Sequence, residues 1–136
     1  MYPYQAQIVR EIAEAQPGLQ IIINHCGSPI DRDPEGMQRW RDGLKLISAC
    51  PNLAIKISNP GAYDPPWTLE SVRAVAMHCI DCFGVDRSMF GTDYPVSKIH
   101  MNFNQIYKIF KTIASVLTPE EQAKLFHDNA KRYYRL

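Results

Sequence analysis

The chain has 136 residues, 46% of them hydrophobic, and 15 Lys and Arg set against 14 Asp and Glu give a formal net charge of +1. This is the composition of one ordinary globular domain over residues 1–136, and it excludes a disordered chain. Without a basic run or basic helix face it argues against nucleic acid or an acidic membrane as partner. Met1-Tyr2-Pro3-Tyr4-Gln5 has no signal-peptide character and no apolar stretch is long enough to span a bilayer, so the expected location is cytoplasmic.

Taken in order, Gln5 to Ala15 reads as a helix with Ile8 and Ile12 on one face, stopped by Gln16-Pro17-Gly18. Gln20-Ile21-Ile22-Ile23-Asn24-His25-Cys26-Gly27 follows, a run of β-branched residues that reads as a buried parallel strand with His25 at its C-terminal end. Asp33-Pro34-Glu35 has the form of an N-cap with Pro at the first helical position. Met37, Trp40, Leu44 and Ile47 recur behind it at helical spacing, up to Cys50-Pro51.

Leu53 to Ser58 reads as a second strand, in which Lys56 and Ser58 share one side of the pleat. A turn-rich loop from Asn59 to Pro66, long for its position, leads to a helix striped by Leu69, Val72, Ala76, Cys79 and Phe83 and ended by Gly84. Ser88 to Thr92 forms the third strand, with Asp93 just beyond it. Phe103, Ile106, Phe110, Ile113 and Leu117 mark another helix, and Thr118-Pro119-Glu120-Glu121 is a capping box that opens a helical tail through Tyr134.

Regular alternation of strand and helix signals predicts an α/β fold with a parallel sheet, whose functional groups collect at the C-terminal strand ends. His25, Asp93 and Lys56 are then expected to share one cleft. His25 is a general acid-base or ligand candidate, against the alternative of a loop-bound histidine. Asp93, a carboxylate just past an apolar strand, is a base candidate or a turn residue. Lys56 either neutralises a carboxylate in the cleft or snorkels to the sheet edge. Ser58 is a substrate-binding candidate, as are Arg32 and Tyr63 on the rim loops, where Asp64 and Trp67 also lie. Cys79 and Cys82 are spaced as a metal-binding pair but fall within a helix with no second pair, so reduced thiols are expected.

Ile23-Asn24-His25-Cys26-Gly27-Ser28-Pro29, Ala54-Ile55-Lys56-Ile57-Ser58, Phe90-Gly91-Thr92-Asp93-Tyr94-Pro95-Val96 and the tail Asn129 to Leu136 resemble, in order and spacing, the C-terminal half of the amidohydrolase 2 family. The likeness is greatest to its lactonase-type branch, related to 2-pyrone-4,6-dicarboxylate lactonase. The resemblance implies the C-terminal part of a (β/α)8 TIM barrel, with the three strands as the sixth to eighth. It also implies hydrolysis of a lactone, or a related ester or amide of a small carboxylic or sugar acid. Asp93 would be the general base or a metal ligand, and His25 the carbonyl polariser or a ligand. The family's paired histidines after the first strand have no counterpart here, which leaves a divalent metal such as zinc and a metal-independent reaction both open. Three strands cannot close a barrel, so the alternative is a catalytically incomplete fragment. Its open edges, and apolar faces at Ile21, Ile23, Ile55, Ile57 and Phe90, would favour self-association or a partner half-barrel.

Overall fold

A computed structural model describes residues Met1–Leu136. The elements are α1 (Ala6–Ala15), β1 (Ile21–Ile23), α2 (Pro34–Ser48), β2 (Leu53–Ser58), α3 (Leu69–Phe83), β3 (Ser88–Gly91), α4 (Phe103–Ala114), α5 (Pro119–Ala123) and α6 (Asn129–Tyr134), with a π-helical turn at Lys124–Asp128 joining the last two. The anticipated caps form: Asp33 accepts from the Gly36 amide at 2.8 Å, and Thr118 and Glu121 close a reciprocal capping box. No helix is long and apolar enough to cross a membrane.

The strands lie side by side in the order β1-β2-β3, all parallel, with Ile23 opposite Ile55 and Ser58 opposite Gly91. Because side chains alternate along a strand, the register divides the sheet into two faces. Ile23, Leu53, Ile55 and Ile57 join Trp40, Leu44, Ile47, Ala76, Ile106 and Phe110 in the helix-covered core, with Ile21 and Phe90 packed against it. The expectation that these strand residues form an open apolar face is thus corrected: parity turns them toward the helices. The opposite face carries Ile22, Ala54, Lys56, Ser58, Met89 and Gly91.

A second correction concerns α1. Its contact with α2 is made by small residues, with Ala6 and Ala13 buried and Ala6 Cβ close against the Gly43 backbone. Ile8 and Ile12 are instead 58% and 48% exposed. The helical period is right, but the apolar stripe points away from the core of this chain.

At the N-terminal ends of the strands, polar side chains staple the connections. Arg87 donates to the carbonyls of Ser48, Cys50 and Leu53, Asn52 to those of Ala13, Gln16 and Leu19, and Asn129 to those of Val85 and Ser88. Each satisfies carbonyls that no helix or ladder partner reaches.

Candidate active site

Every strand is followed by a residue with left-handed backbone: His25 at φ 52°, Asn59 at φ 49° and Asp93 at φ 55°. His, Asn and Asp are the non-glycine types that best tolerate this region, and such backbone concentrates at functional sites. β1 is shorter than its apolar run suggests, because the chain leaves the ladder after Ile23 and His25 opens a 3-10 turn through Gly27. Cys26 also has positive φ, and Gly27 sits where any Cβ would meet Leu44 Cδ2 at 2.8 Å. Buried Trp40 fixes this turn from below by donating its Nε1–H to the Cys26 carbonyl at 2.7 Å.

The turn aims the imidazole across the tip of β2. His25 Nε2 lies 3.9 Å from Asp93 Oδ2, although their strands flank β2 and are not neighbours. His25 Nδ1 lies 2.8 Å from the hydroxyl of Ser58, the last residue of β2, which is 1% exposed. His25 and Asp93 thus meet as anticipated. Both side chains remain about a quarter exposed, so the space between them opens to solvent.

Lys56 does not join them. Its stem lies over Gly91, whose missing side chain leaves the room, and its ammonium sits 5.5 Å from the ring centroid of Tyr134. It forms a cation–π contact in place of an ion pair with Asp93. The rim residues are engaged with one another: Arg32 pairs with Asp64 at 3.3 Å, and the Tyr63 hydroxyl reaches Ser28 Oγ at 3.4 Å. These contacts join the loop after β1 to the loop after β2. Trp67 is tied to the His100 carbonyl at 3.3 Å.

Between these two loops is a cavity of about 10 Å³, lined by His25, Arg32, Ser58, Asn59, Tyr63 and Asp64 among others, with room for about one water molecule. Asn59 Oδ1 is buried without a hydrogen-bond donor, and Asp64 Oδ2, also buried, has only the charge of the Arg32 guanidinium 3.3 Å away. Asn59 was not singled out from the sequence, where it reads only as a turn residue before Pro60. Its signal is positional, a residue tolerant of left-handed backbone directly after a buried strand. Cys79 and Cys82 lie on α3, and burial pushes the Cys79 thiol well up, helped by a hydrogen bond with Cys26. Burial also raises the Cys82 thiol, with the nearby Asp81 charge adding to it.

Comparison with known proteins gives this geometry a family. The model of the Amidohydrolase family Amidohydro_2 matches residues 4–136. The chain belongs to the amidohydrolase family. An uncharacterized protein, y4mH, of Sinorhizobium fredii is 38% identical over 136 residues, which are 100% of this chain and 46% of that protein. An L-fucono-1,5-lactonase of Burkholderia multivorans is 27% identical over 128 residues, covering 85% of this chain and 43% of the lactonase. The chain spans about half the length of the curated relatives it matches. A crystal structure of a Burkholderia multivorans amidohydrolase with bound HEPES superposes with a TM-score of 0.92 at 24% identity, covering 100% of this chain and 51% of that one. A putative 2-pyrone-4,6-dicarboxylic acid hydrolase of Pseudomonas putida gives 0.74 at 23% identity over 96% of this chain and 48% of that one. At these identities the superpositions speak for the fold, which is that of half of a TIM-barrel amidohydrolase.

A second structure of the Burkholderia multivorans amidohydrolase, similar to this chain at TM-score 0.91 and 23% identity over 100% of this chain and 51% of its own, contains zinc. In the present amidohydrolase chain no group of three or more His, Cys, Asp or Glu side chains is placed to hold a metal ion. His25 Nε2 and Asp93 Oδ2 supply two suitable donors, where catalytic zinc takes three protein ligands. The residues of this chain therefore fit part of such a centre and do not complete one.

Proposed function

We propose that this chain contributes one arc of the active site of a hydrolase that opens a lactone, or cleaves a related ester or amide of a small carboxylic or sugar acid, with an activated water. In this reading residues 1–136 form a single partial barrel domain carrying strands six to eight. The reading is carried by the opposition of His25 Nε2 and Asp93 Oδ2 across 3.9 Å, at strand tips held in left-handed backbone. The lactonase names of two relatives support the substrate class.

The Asp93 carboxylate takes a proton from water as the oxygen attacks the substrate carbonyl, and His25 donates a hydrogen bond to the developing oxyanion. Collapse of the tetrahedral intermediate breaks the ring C–O bond, and the departing alkoxide recovers the proton from Asp93. Ser58 stands behind His25. Lys56, on the same face of the sheet, and Arg32 and Tyr63 on the rim are the groups for a substrate carboxylate or hydroxyl; Arg32 must first leave Asp64. A divalent ion held by His25 and Asp93 with further donors would polarise the carbonyl and acidify the bound water.

A second reading is favoured by exposed Ile8, Ile12 and Leu19 together with the open edges of β1 and β3. It holds that the chain is catalytically incomplete and needs a complementary half-barrel. Turnover of a panel of sugar-acid and pyrone lactones, with and without zinc, tests both readings on the chain alone and on a longer protein that joins it to the part of a relative such as y4mH that it does not match. The expected result is little or no turnover by the chain, self-association on size-exclusion chromatography, and turnover by the longer protein. Metal-independent turnover by a monomeric chain overturns the fragment reading, and inactivity of both proteins on every lactone overturns the lactonase reading.

A further inference from the structure

We propose that Ser58 is a positioning residue that sets the tautomer of His25, holding the imidazole with its proton on Nε2, where it faces Asp93 and the cleft. The observation beneath this is the buried contact between Ser58 Oγ and His25 Nδ1 at 2.8 Å, in a side chain only 1% exposed. A serine so placed has no surface to offer a substrate. What it touches is the ring nitrogen that points away from the cleft.

A neutral imidazole has one N–H and one lone pair, and a hydroxyl can serve either nitrogen state by turning its proton. The surroundings decide between the two. Nδ1 is the one hydrogen-bond partner of Ser58 Oγ. If Nδ1 carried the proton, Ser58 would accept and its own hydroxyl hydrogen would be left with no protein acceptor. If Ser58 donates, both groups are satisfied. The other ring nitrogen gives the same answer, because Nε2 faces the Asp93 carboxylate at 3.9 Å, where an N–H is favoured and a lone pair opposed.

The hydroxyl is also held in place. Ser58 closes the β2 ladder opposite Gly91, and its Cβ lies 3.4 Å from where a Gly91 side chain would begin. The imidazole is fixed from its own side by the 3-10 turn, in which the His25 carbonyl accepts from the Ser28 amide at 2.8 Å. In this tautomer His25 enters the metal-free cleft as a donor, suited to a carbonyl oxygen or oxyanion, and leaves Asp93 free to act as the base; to ligate a divalent ion through Nε2 the ring would have to carry its proton on Nδ1 instead. That consequence rests on the hydrolase reading above, whereas the tautomer itself does not.

The test is nitrogen-15 NMR of the histidines in the 136-residue chain, at a pH where the imidazole is neutral, using long-range proton–nitrogen correlations to distinguish protonated from unprotonated ring nitrogens. The expected wild-type result is a downfield, unprotonated Nδ1 and an upfield, protonated Nε2 for His25. Ser58→Ala should draw both resonances toward the averaged position of a free imidazole, and Ser58→Thr, which keeps the hydroxyl, should restore the wild-type pattern. A wild-type His25 protonated on Nδ1, or an unchanged pattern in Ser58→Ala, overturns the proposal. If Ser58→Ala does not fold, the wild-type assignment and Ser58→Thr decide it. The measurement uses no substrate, so failure of the lactonase reading leaves its outcome unaffected.

Discussion

At the N-terminal ends of the strands Arg87, Asn52 and Asn129 each donate to two or three backbone carbonyls, whereas at the C-terminal ends His25, Asn59 and Asp93 hold left-handed backbone and Asn59 Oδ1 lies buried without a donor. The first end turns polar side chains into cross-links between connections and leaves few groups free. The second spends backbone strain to turn the His25 and Asp93 side chains toward solvent-open space, and leaves Asn59 Oδ1 buried and unpaired. A parallel α/β sheet therefore separates stability from function by strand end, and substitutions at the two ends should have opposite profiles.

The largest expected effect is at the C-terminal end. Asp93→Asn, made in the longer protein, should lower lactone turnover by about 10²–10⁴ through loss of the base, with little change in thermal midpoint because Asn accepts the same backbone. A large loss of stability with intact turnover would reverse the contrast between the ends. At the other end, Asn129→Ala leaves the Val85 and Ser88 carbonyls without a donor and should cost about 2–3 kcal/mol in urea unfolding, without altering the histidine resonances of the site. Altered resonances at His25 would show that the two ends are coupled.

A smaller effect of opposite sign is expected at Asn59. Replacing it with Gly removes both the left-handed penalty and the orphaned carbonyl, and should stabilise the chain by about 1 kcal/mol in urea unfolding. Loss of stability on this change would show that Asn59 Oδ1 is already satisfied, for instance by a water in the adjoining cavity. The smallest effect concerns the exposed pair of Lys124 and Asp86 at 2.7 Å, where the hydrogen bond from Lys124 holds the Asp86 carboxyl below its usual range. A depressed carboxyl contributes stability above its unfolded value and loses it as pH falls through the folded one. Lys124→Met should thus cost about 0.2–1 kcal/mol near neutral pH, and the difference from wild type should vanish in acid.

The comparison also shows where sequence reasoning reached and where it stopped. The two residues brought together at 3.9 Å, His25 and Asp93, were legible because each follows a short apolar run at the strand end where parallel sheets gather polar groups. Lys56 was not, because pleat parity fixes only the face it occupies. Its stem lies over Gly91 and its ammonium over a ring 78 residues later in the chain, a contact that local pattern cannot foresee. Arg32 and Tyr63 were located on the right loops, but their present partners, Asp64 and Ser28, follow from how those loops fold together.

Local sequence determined what depends on neighbours along the chain: the α/β alternation, the caps at Asp33 and Thr118, the end of α3 at Gly84, and the strand-tip positions of His25 and Asp93. These follow from backbone preference and hydrophobic period, which act over a few residues. Tertiary structure alone decided which sheet face meets the helices, the exposure of Ile8 and Ile12, the service of Arg87, Asn52 and Asn129 as staples, and the seating of Ser58 behind His25. Each of these is set by residues distant in sequence that packing brings within a few ångströms, and a periodicity carries no information about that distance.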